Sequence, residues 1–264
     1  MRARGWPPHT QPSGLALYFV ALLILLYLPI ALLFLFSLHD NTVLSFPLRG
    51  LTLDWYRRVL EVDGLLRAAR NSLVVGLGSA FAATILGTMV AIVVARYQFR
   101  GKTMLIALTV MPLIVPFVVL AVALLLLFAA LGIDRSLWTI GLAHTVVSLP
   151  YVLLIVSTRL SGFDVSMEEA AMDLGADYPT TLRRIVVPIL APAVVAAFLT
   201  AFTVSFDEFA LALFLAGPDP TFPVYLFGQL RFANRLPIMI ALAMLLLIGT
   251  MSLAVAADRL RRAD

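Results

Sequence analysis

Cysteine is absent from all 264 residues, so the chain has neither disulfides nor thiolate metal sites, and cysteine usage says nothing of its redox compartment. Charge is scarce as well. Only 13% of positions are Asp, Glu, Lys or Arg, against about 25% in soluble domains. Six stretches, 15–38, 72–95, 103–133, 136–158, 188–206 and 236–257, contain none of these four residue types, and each fills the ~20 positions that a spanning helix needs. Hydrophobic residues make up 62% of the chain, more than a soluble core can hide when roughly 45–50% is usual. The runs are apolar on all sides, which excludes a β-barrel, whose ~10-residue strands would alternate apolar and polar. The expected class is an all-α, polytopic membrane protein with six transmembrane helices. The formal charge of +4 reflects membrane orientation and gives no sign of nucleic-acid binding.

Arg2 and Arg4 precede the first run as in a signal peptide, but the apolar core is too long and no small-x-small site follows Ser37-Leu38-His39. An uncleaved anchor is expected. Lys and Arg bias then sets orientation. With the N-terminus inside, the short Arg96–Lys102 loop and the Arg259–Arg262 tail are dense in positive charge close to helix ends, whereas Arg49, Arg57, Arg58, Arg67 and Arg70 are spread over one long outer loop. Both termini are expected in the cytoplasm. The division is a tail 1–14, a six-helix domain 15–257 that includes a cytoplasmic loop 159–188, and a tail 258–264.

The segment 103–133 would be ~46 Å long as one straight helix, well beyond a ~30 Å hydrocarbon core. Pro112 and Pro116 each remove a backbone donor, so a kink or break is expected there, either as a packing feature or as a bend lining a pathway. Two ladders of small residues at four-residue spacing, Ser79-Ala83-Gly87-Ala91-Ala95 and Ala193-Ala197-Ala201-Ser205, allow close approach of helix backbones. The stretch 39–71 carries Asp54, Trp55, Tyr56, Arg57 and Arg58 among Leu51, Leu53, Leu60, Leu65 and Leu66, the pattern of a short interfacial amphipathic helix. Gly217-Pro218-Asp219-Pro220 is a turn by composition. After it, Val224-Tyr225-Leu226-Phe227 either re-enters or skims the membrane.

In the 159–188 loop, Ser166 and Glu169 have the spacing of a capping box, which starts a helix at about Ser166. Met167, Ala170, Ala171 and Leu174 share one face, Gly175 supplies the left-handed residue that ends a helix, Asp177 caps the next turn, and Pro179 suits a first helical position. On this physics alone the segment is a helix-turn-helix, read either as a plain surface element or as a docking element. An apolar face with no soluble domain to cover it favours a protein contact.

Glu169-Ala170-Ala171, three residues, Gly175, nine residues and Ile185-Val186-Val187-Pro188 resemble the EAA loop of ABC importer permeases. There a cytoplasmic coupling helix, a glycine turn and a second helix form the handle that an ATPase grips. Val187 stands where the pattern has Leu. Arg96-Tyr97-Gln98-Phe99-Arg100-Gly101-Lys102, Arg159-Leu160-Ser161-Gly162-Phe163-Asp164-Val165 and Ser205-Phe206-Asp207-Glu208-Phe209 look like the spermidine/putrescine class, in the same order along nearly the whole chain. Iron, thiamine, phosphonate and opine permeases share much of this background. The resemblance implies ATPase-coupling positions at Glu169, Ala170, Ala171, Gly175, Ile185 and Pro188. It also implies a second permease in a heterodimer, two ATP-binding subunits, an extracytoplasmic substrate-binding protein and a bacterial inner membrane. No cofactor is then expected on this chain, since ATP would be hydrolysed by partners.

Gly101-Lys102-Thr103 mimics the end of a P-loop, but its first glycine would fall at Arg96. A competing intramembrane enzyme would have to use His144, Asp207 and Glu208. His144 lies beside Ser148 with no second histidine near it in the chain, which suits a packing residue better than a metal ligand. A self-sufficient secondary carrier would need internal repeats, and none is visible. Asp207 and Glu208 fall ~28 Å along the fifth helix from Pro188, where an ionisable group is a functional candidate by default. Thr200, Thr203 and Asp207 share a face, with Ala201, Ser205 and Glu208 on the adjacent one. These acidic groups are expected along the path of a small cation such as a polyamine. The alternative is a structural pair capping the Gly217 turn or pairing with Arg231 or Arg235.

Overall fold

A computed structural model describes residues 14–42, 47, 48 and 50–263, the side chains of 250 and 253–263 excepted. Arg2, Arg4 and His9 in the expected 1–14 tail, Arg49, and the side chains of Arg259, Arg261 and Arg262 lie outside the described residues. In chain order the helices are α1 (Gly14–Ser37), α2 (Asp54–Arg58), α3 (Leu65–Arg96), α4 (Lys102–Val110), α5 (Phe117–Ala130), α6 (Leu137–Ser161), α7 (Ser166–Asp173), α8 (Tyr178–Thr181), α9 (Val187–Asp207), α10 (Ala210–Leu215), α11 (Phe222–Gln229) and α12 (Leu236–Ala263). Among the described residues, four continuous stretches are long and apolar enough to cross a membrane: Gly14–Ser37, Leu65–Arg96, Leu137–Ser161 and Tyr178–Asp207. Counting two bent pairs, Lys102–Leu113 with Phe117–Ala130 and Phe222–Gln229 with Ala233–Gly249, raises the number to six.

The first bent pair shows what the two prolines do. The chain turns by 109° between Lys102–Leu113 and Phe117–Ala130. Pro112 sits inside a 3-10 turn, Met111–Leu113, and Pro116 is the extended residue before α5, with ψ 132°. Neither position needs the amide that proline lacks. The expected break in 103–133 is therefore a sharp corner.

The chain divides into two compact units, 64–227 and the combination of 1–63 with 228–264. The core of the first is a three-helix contact among α3, α6 and α9. The small-residue ladders lie in it: Ser79, Ala83, Gly87 and Ala91 of α3 are buried, as are Ala197, Ala201 and Ser205 of α9. The outermost members are less enclosed, with Ala193 half-buried and Ala95 exposed. Gly87 is required here, because a Cβ on it would stand 2.7 Å from Cβ and Cγ1 of Val152 on α6. A second apolar cluster joins α5, α6 and α10 through Ala121, Phe128, Ile140, Val147, Leu211 and Leu215. The expected turn at 217–220 is pinned to the start of α3, where Asn71 Nδ2 donates to the Pro220 carbonyl (3.0 Å) and Ser72 Oγ accepts from Phe222 N (2.8 Å).

In the other unit α1 packs along α12, and within α1 Ser37 is the buried residue. The expected interfacial helix is α2, continued by a 3-10 turn Val59–Glu61. Trp55 and Val59, four residues apart, turn inward, and Trp55 Nε1 donates to the His39 carbonyl at 2.7 Å. Leu51, Leu53 and Leu60 remain exposed beside them.

Candidate functional site

Two places hold the residues singled out by sequence. The first is the connection from α6 to α9. Helix α7 begins at Ser166 as expected, but the capping box does not form. Ser166 is already the first helical residue, and its amide donates to Asp164 Oδ1 at 3.0 Å. The box needs its serine extended at the N-cap position; Val165 occupies that position, in helical conformation (φ −60°, ψ −25°). Glu169 therefore does not reach back to a cap and stands exposed beside Ala170. The far end follows expectation closely. Gly175 has φ +91°, its amide bonds the Met172 carbonyl (2.9 Å), and that of Ala176 bonds the Ala171 carbonyl (3.0 Å), which is the Schellman pattern.

Asp177 then caps α8, its Oδ1 accepting from Thr180 N at 3.1 Å. Pro179 takes the second helical position rather than the first, where its missing amide is equally harmless. Hydrogen bonds hold both capping carboxyls below their usual range, Asp164 chiefly through the Ser166 amide and Asp177 chiefly through the Thr180 side chain. Between α8 and α9 lies a π-helical turn, Leu182–Val186, in which Val187 N bonds the carbonyl of Leu182, five residues back. Pro188 explains it, because the proline has no amide for Arg184 and its ring crowds that carbonyl. Ala171, Leu174, Ala176, Thr180, Thr181, Arg184 and Ile185 line a groove of about 290 Å³. Ile185 is half-buried, whereas Pro188 is exposed and Leu174 is 90% exposed.

The second place is the break between α9 and α10. Asp207 ends α9 exposed. Glu208, the next residue, is buried and extended (φ −70°, ψ 123°). Its carboxylate caps α10, Oε1 accepting from Leu211 N at 3.0 Å and Oε2 from Ala212 N at 3.1 Å. His144 of α6 brings Nε2 to 3.3 Å from the same Oε2, without hydrogen-bond alignment. Its Nδ1 shares a hydrogen bond with Ser205 Oγ (2.7 Å), which also accepts from Ser79 Oγ (2.9 Å). A buried polar chain Ser79–Ser205–His144–Glu208 thus links α3, α9, α6 and α10. The structure separates the two carboxylates: Glu208 is turned into protein, and Asp207 is turned out. Thr200 and Thr203 spend their hydroxyls on the carbonyls of Ala196 and Leu199 (2.9 Å each), Thr200 half-buried and Thr203 exposed.

The model of the family described as "Binding-protein-dependent transport system inner membrane component" matches residues 83–263. The chain belongs to that family. It is the multi-pass inner-membrane permease of an ABC importer, a transport subunit and not an enzyme, and ATP is hydrolysed by partner subunits. The permease is 35% identical over 246 residues to the spermidine/putrescine transport system permease protein PotC of Escherichia coli (strain K12), covering 93% of this chain and 92% of that one. It is 36% identical over 230 residues to the putrescine transport system permease protein PotI of the same strain, covering 84% and 81%. Its fold matches a chain from a crystal structure of a bacterial ABC transporter involved in the import of the acidic polysaccharide alginate, with a TM-score of 0.70, 15% identity, and 96% and 98% of the two chains covered.

Sequence reasoning missed two contacts of the permease. Glu168, beside the singled-out Glu169, is buried and ion-paired with Arg96. The only signal was indirect: two adjacent carboxylates on a helix cannot both serve the same face. His144 and Glu208 are 64 positions apart by number, and no local pattern announces such a pair.

Proposed function

We propose that this permease forms, with a second permease in a heterodimer, the membrane route for a small cationic solute of the polyamine class, putrescine or spermidine. The carrying observation is that both relatives named above, aligned over most of the chain, bear polyamine transport names. The α9–α10 break supports the same reading. Asp207 is an exposed carboxylate at the end of an apolar helix, and a charge at membrane depth is costly enough to mark a pathway. Asp207 attracts the ammonium groups, Thr203 and Thr200 continue its face along α9, and Glu208 stands behind, fixing the break. Two ATP-binding subunits grip the 166–188 segment through Glu169, Ala170, Ala171 and Gly175, while Ile185 and Pro188 set the second arm. A substrate-binding protein delivers solute from outside.

Both termini and the 159–188 loop face the cytoplasm, with 15–257 as the transmembrane domain between the tails 1–14 and 258–264. The test of the solute is uptake of labelled putrescine and spermidine by proteoliposomes carrying the whole transporter, against unlabelled iron, thiamine, phosphonate and opine. Saturable polyamine uptake that none of these displaces is expected; absence of polyamine uptake, or its displacement by one of them, overturns the assignment. Topology reporters placed after Gly217 and after Arg262 are expected on opposite faces of the membrane. The same face for both refutes the orientation.

A further inference from the structure

Within α7 the buried residue is a charged one, Glu168, at 4% exposure, whereas Met167, Met172 and Leu174 are exposed by 48%, 42% and 90%. A short helix docked by its own apolar face would show the reverse. What holds Glu168 is Arg96, in the last turn of α3, whose Nη2 donates to Glu168 Oε1. The same guanidinium lies 5.2 Å from the ring centroid of Phe163, in the link that leads into α7. The next residue, Tyr97, has its side chain beside that of Tyr178 at the start of α8. The end of α3 thus touches the link, α7 and α8, although α3 is not adjacent in sequence to any of them.

A buried ion pair is a poor device for stability alone, because two charges must leave water and their attraction barely offsets that. It is a good device for geometry, since a guanidinium–carboxylate contact is directional where apolar contacts slide. The helix dipoles favour this arrangement too, with the carboxylate in the first turn of α7 and the cation in the last turn of α3. We infer that Arg96 and Glu168 are positioning residues for coupling. They fasten the handle to α3, so that a displacement of α7 is delivered to the Ser79-Ala83-Gly87-Ala91 ladder and through it to α6 and α9. Without the pair, α7 would follow its ATPase while the transmembrane helices lag behind. The inference rests on the 166–188 segment being the ATPase handle.

The test uses Arg96→Gln, Glu168→Gln, Arg96→Lys and the exchange Arg96→Glu with Glu168→Arg, each in the complete transporter. Two readouts are taken at matched membrane abundance. One is the stimulation of ATP hydrolysis by the substrate-binding protein. The other is the distance distribution between spin labels on cysteines introduced at Gln98 and Leu174 of this subunit, which has no cysteine of its own. Both glutamine variants are expected to keep basal hydrolysis, lose stimulation by about fivefold or more, the lower end of ordinary coupling free energies, and broaden the label distribution. Arg96→Lys should lose less, and the exchange should restore both readouts. Normal stimulation in both glutamine variants, with Gly175→Val still uncoupled, overturns the inference and leaves the handle standing. If Gly175→Val is also fully stimulated, the handle reading itself falls. Should the single variants fail to accumulate, the exchange decides: normal abundance without restored stimulation overturns the proposal.

Discussion

Asp207→Asn and Glu208→Gln remove the same charge from neighbouring positions, and the structure gives them opposite consequences. Each Glu208 oxygen accepts one backbone amide, from Leu211 and Ala212 at 3.0 and 3.1 Å. A glutamine has one acceptor oxygen, so one of these buried donors meets an NH2 group instead. An orphaned buried donor costs about 1–3 kcal/mol. Part of that is recovered when the new NH2 donates to His144 Nε2, which is 3.3 Å from Oε2 in the native site. This needs a neutral imidazole with its proton on Nδ1, towards Ser205. A loss of ~1–2 kcal/mol remains, equivalent to roughly 2–4 °C in a chain of this size. Asp207 is exposed, and its amide variant should stay within ~0.5 kcal/mol of the native protein. Thermal unfolding of the assembled transporter in nanodiscs gives the first comparison, and putrescine uptake at equal folded protein gives the second. Glu208→Gln should lose stability and keep part of its uptake; Asp207→Asn should keep stability and lose most uptake. An unfolding midpoint unchanged in Glu208→Gln, or normal uptake in Asp207→Asn, refutes the division of roles.

Gly87→Ala puts a methyl 2.7 Å from Val152, and an overpacking cost of about 1–3 kcal/mol outweighs the ~1 kcal/mol that alanine returns in helix propensity. Thermal unfolding should show the loss and its recovery on adding Val152→Ala; no recovery would mean that the contact is misjudged. Gly175→Val meets no atom within 4 Å of its new Cβ, and its effect comes from the strain of a branched residue at φ +91°. Uptake should fall with membrane abundance unchanged, and normal uptake at equal abundance would count against the handle. Asp164 and Asp177 have depressed carboxyl pKa values in the fold. Their capping is therefore fully present above the usual value of 3.8 and is lost as pH falls through the folded values. Co-purification with the ATPase should be flat from neutral pH to about pH 5 and weaken only below about pH 4; a midpoint near pH 6 would point to another group.

Features written in consecutive residues were legible in the sequence. Uncharged runs gave the membrane helices, Pro112 and Pro116 the corner, four-residue spacing of small side chains the α3–α9 contact, and Gly175 with Asp177 the turn. Features decided by groups far apart were not. Ser166 and Glu169 satisfied a local capping pattern, yet Asp164 won the amide, because Asp164 lies close enough to bond Ser166 while Val165 takes helical dihedrals. Glu168 was overlooked for want of any sign that Arg96 would come to rest beside it. Glu208 looked like half of an acidic pair until the amides of α10 supplied its carboxylate with donors. Of the alternative partners considered for it, Arg235 is engaged with Gln229.

The π-helical turn at Leu182–Val186 changes how the residues around it are to be counted. Five residues wound on i→i−5 bonds use up about one residue more than an α-helix would over the same rise, a phase lag of ~100°. A helical wheel drawn straight from Tyr178 to Asp207 therefore assigns α8 to the wrong side of α9. Deleting a single residue from 182–186 would close the lag by letting four α-helical residues span the same rise, and would leave Tyr178 and the α7–α8 groove on nearly the same bearing; winding all five as α-helix would instead swing them about the α9 axis by ~100°. The interval between Gly175 and Pro188 thus holds one residue more than its angular span needs, and a relative one residue shorter there would present its handle on the same bearing through an unbroken α-helix.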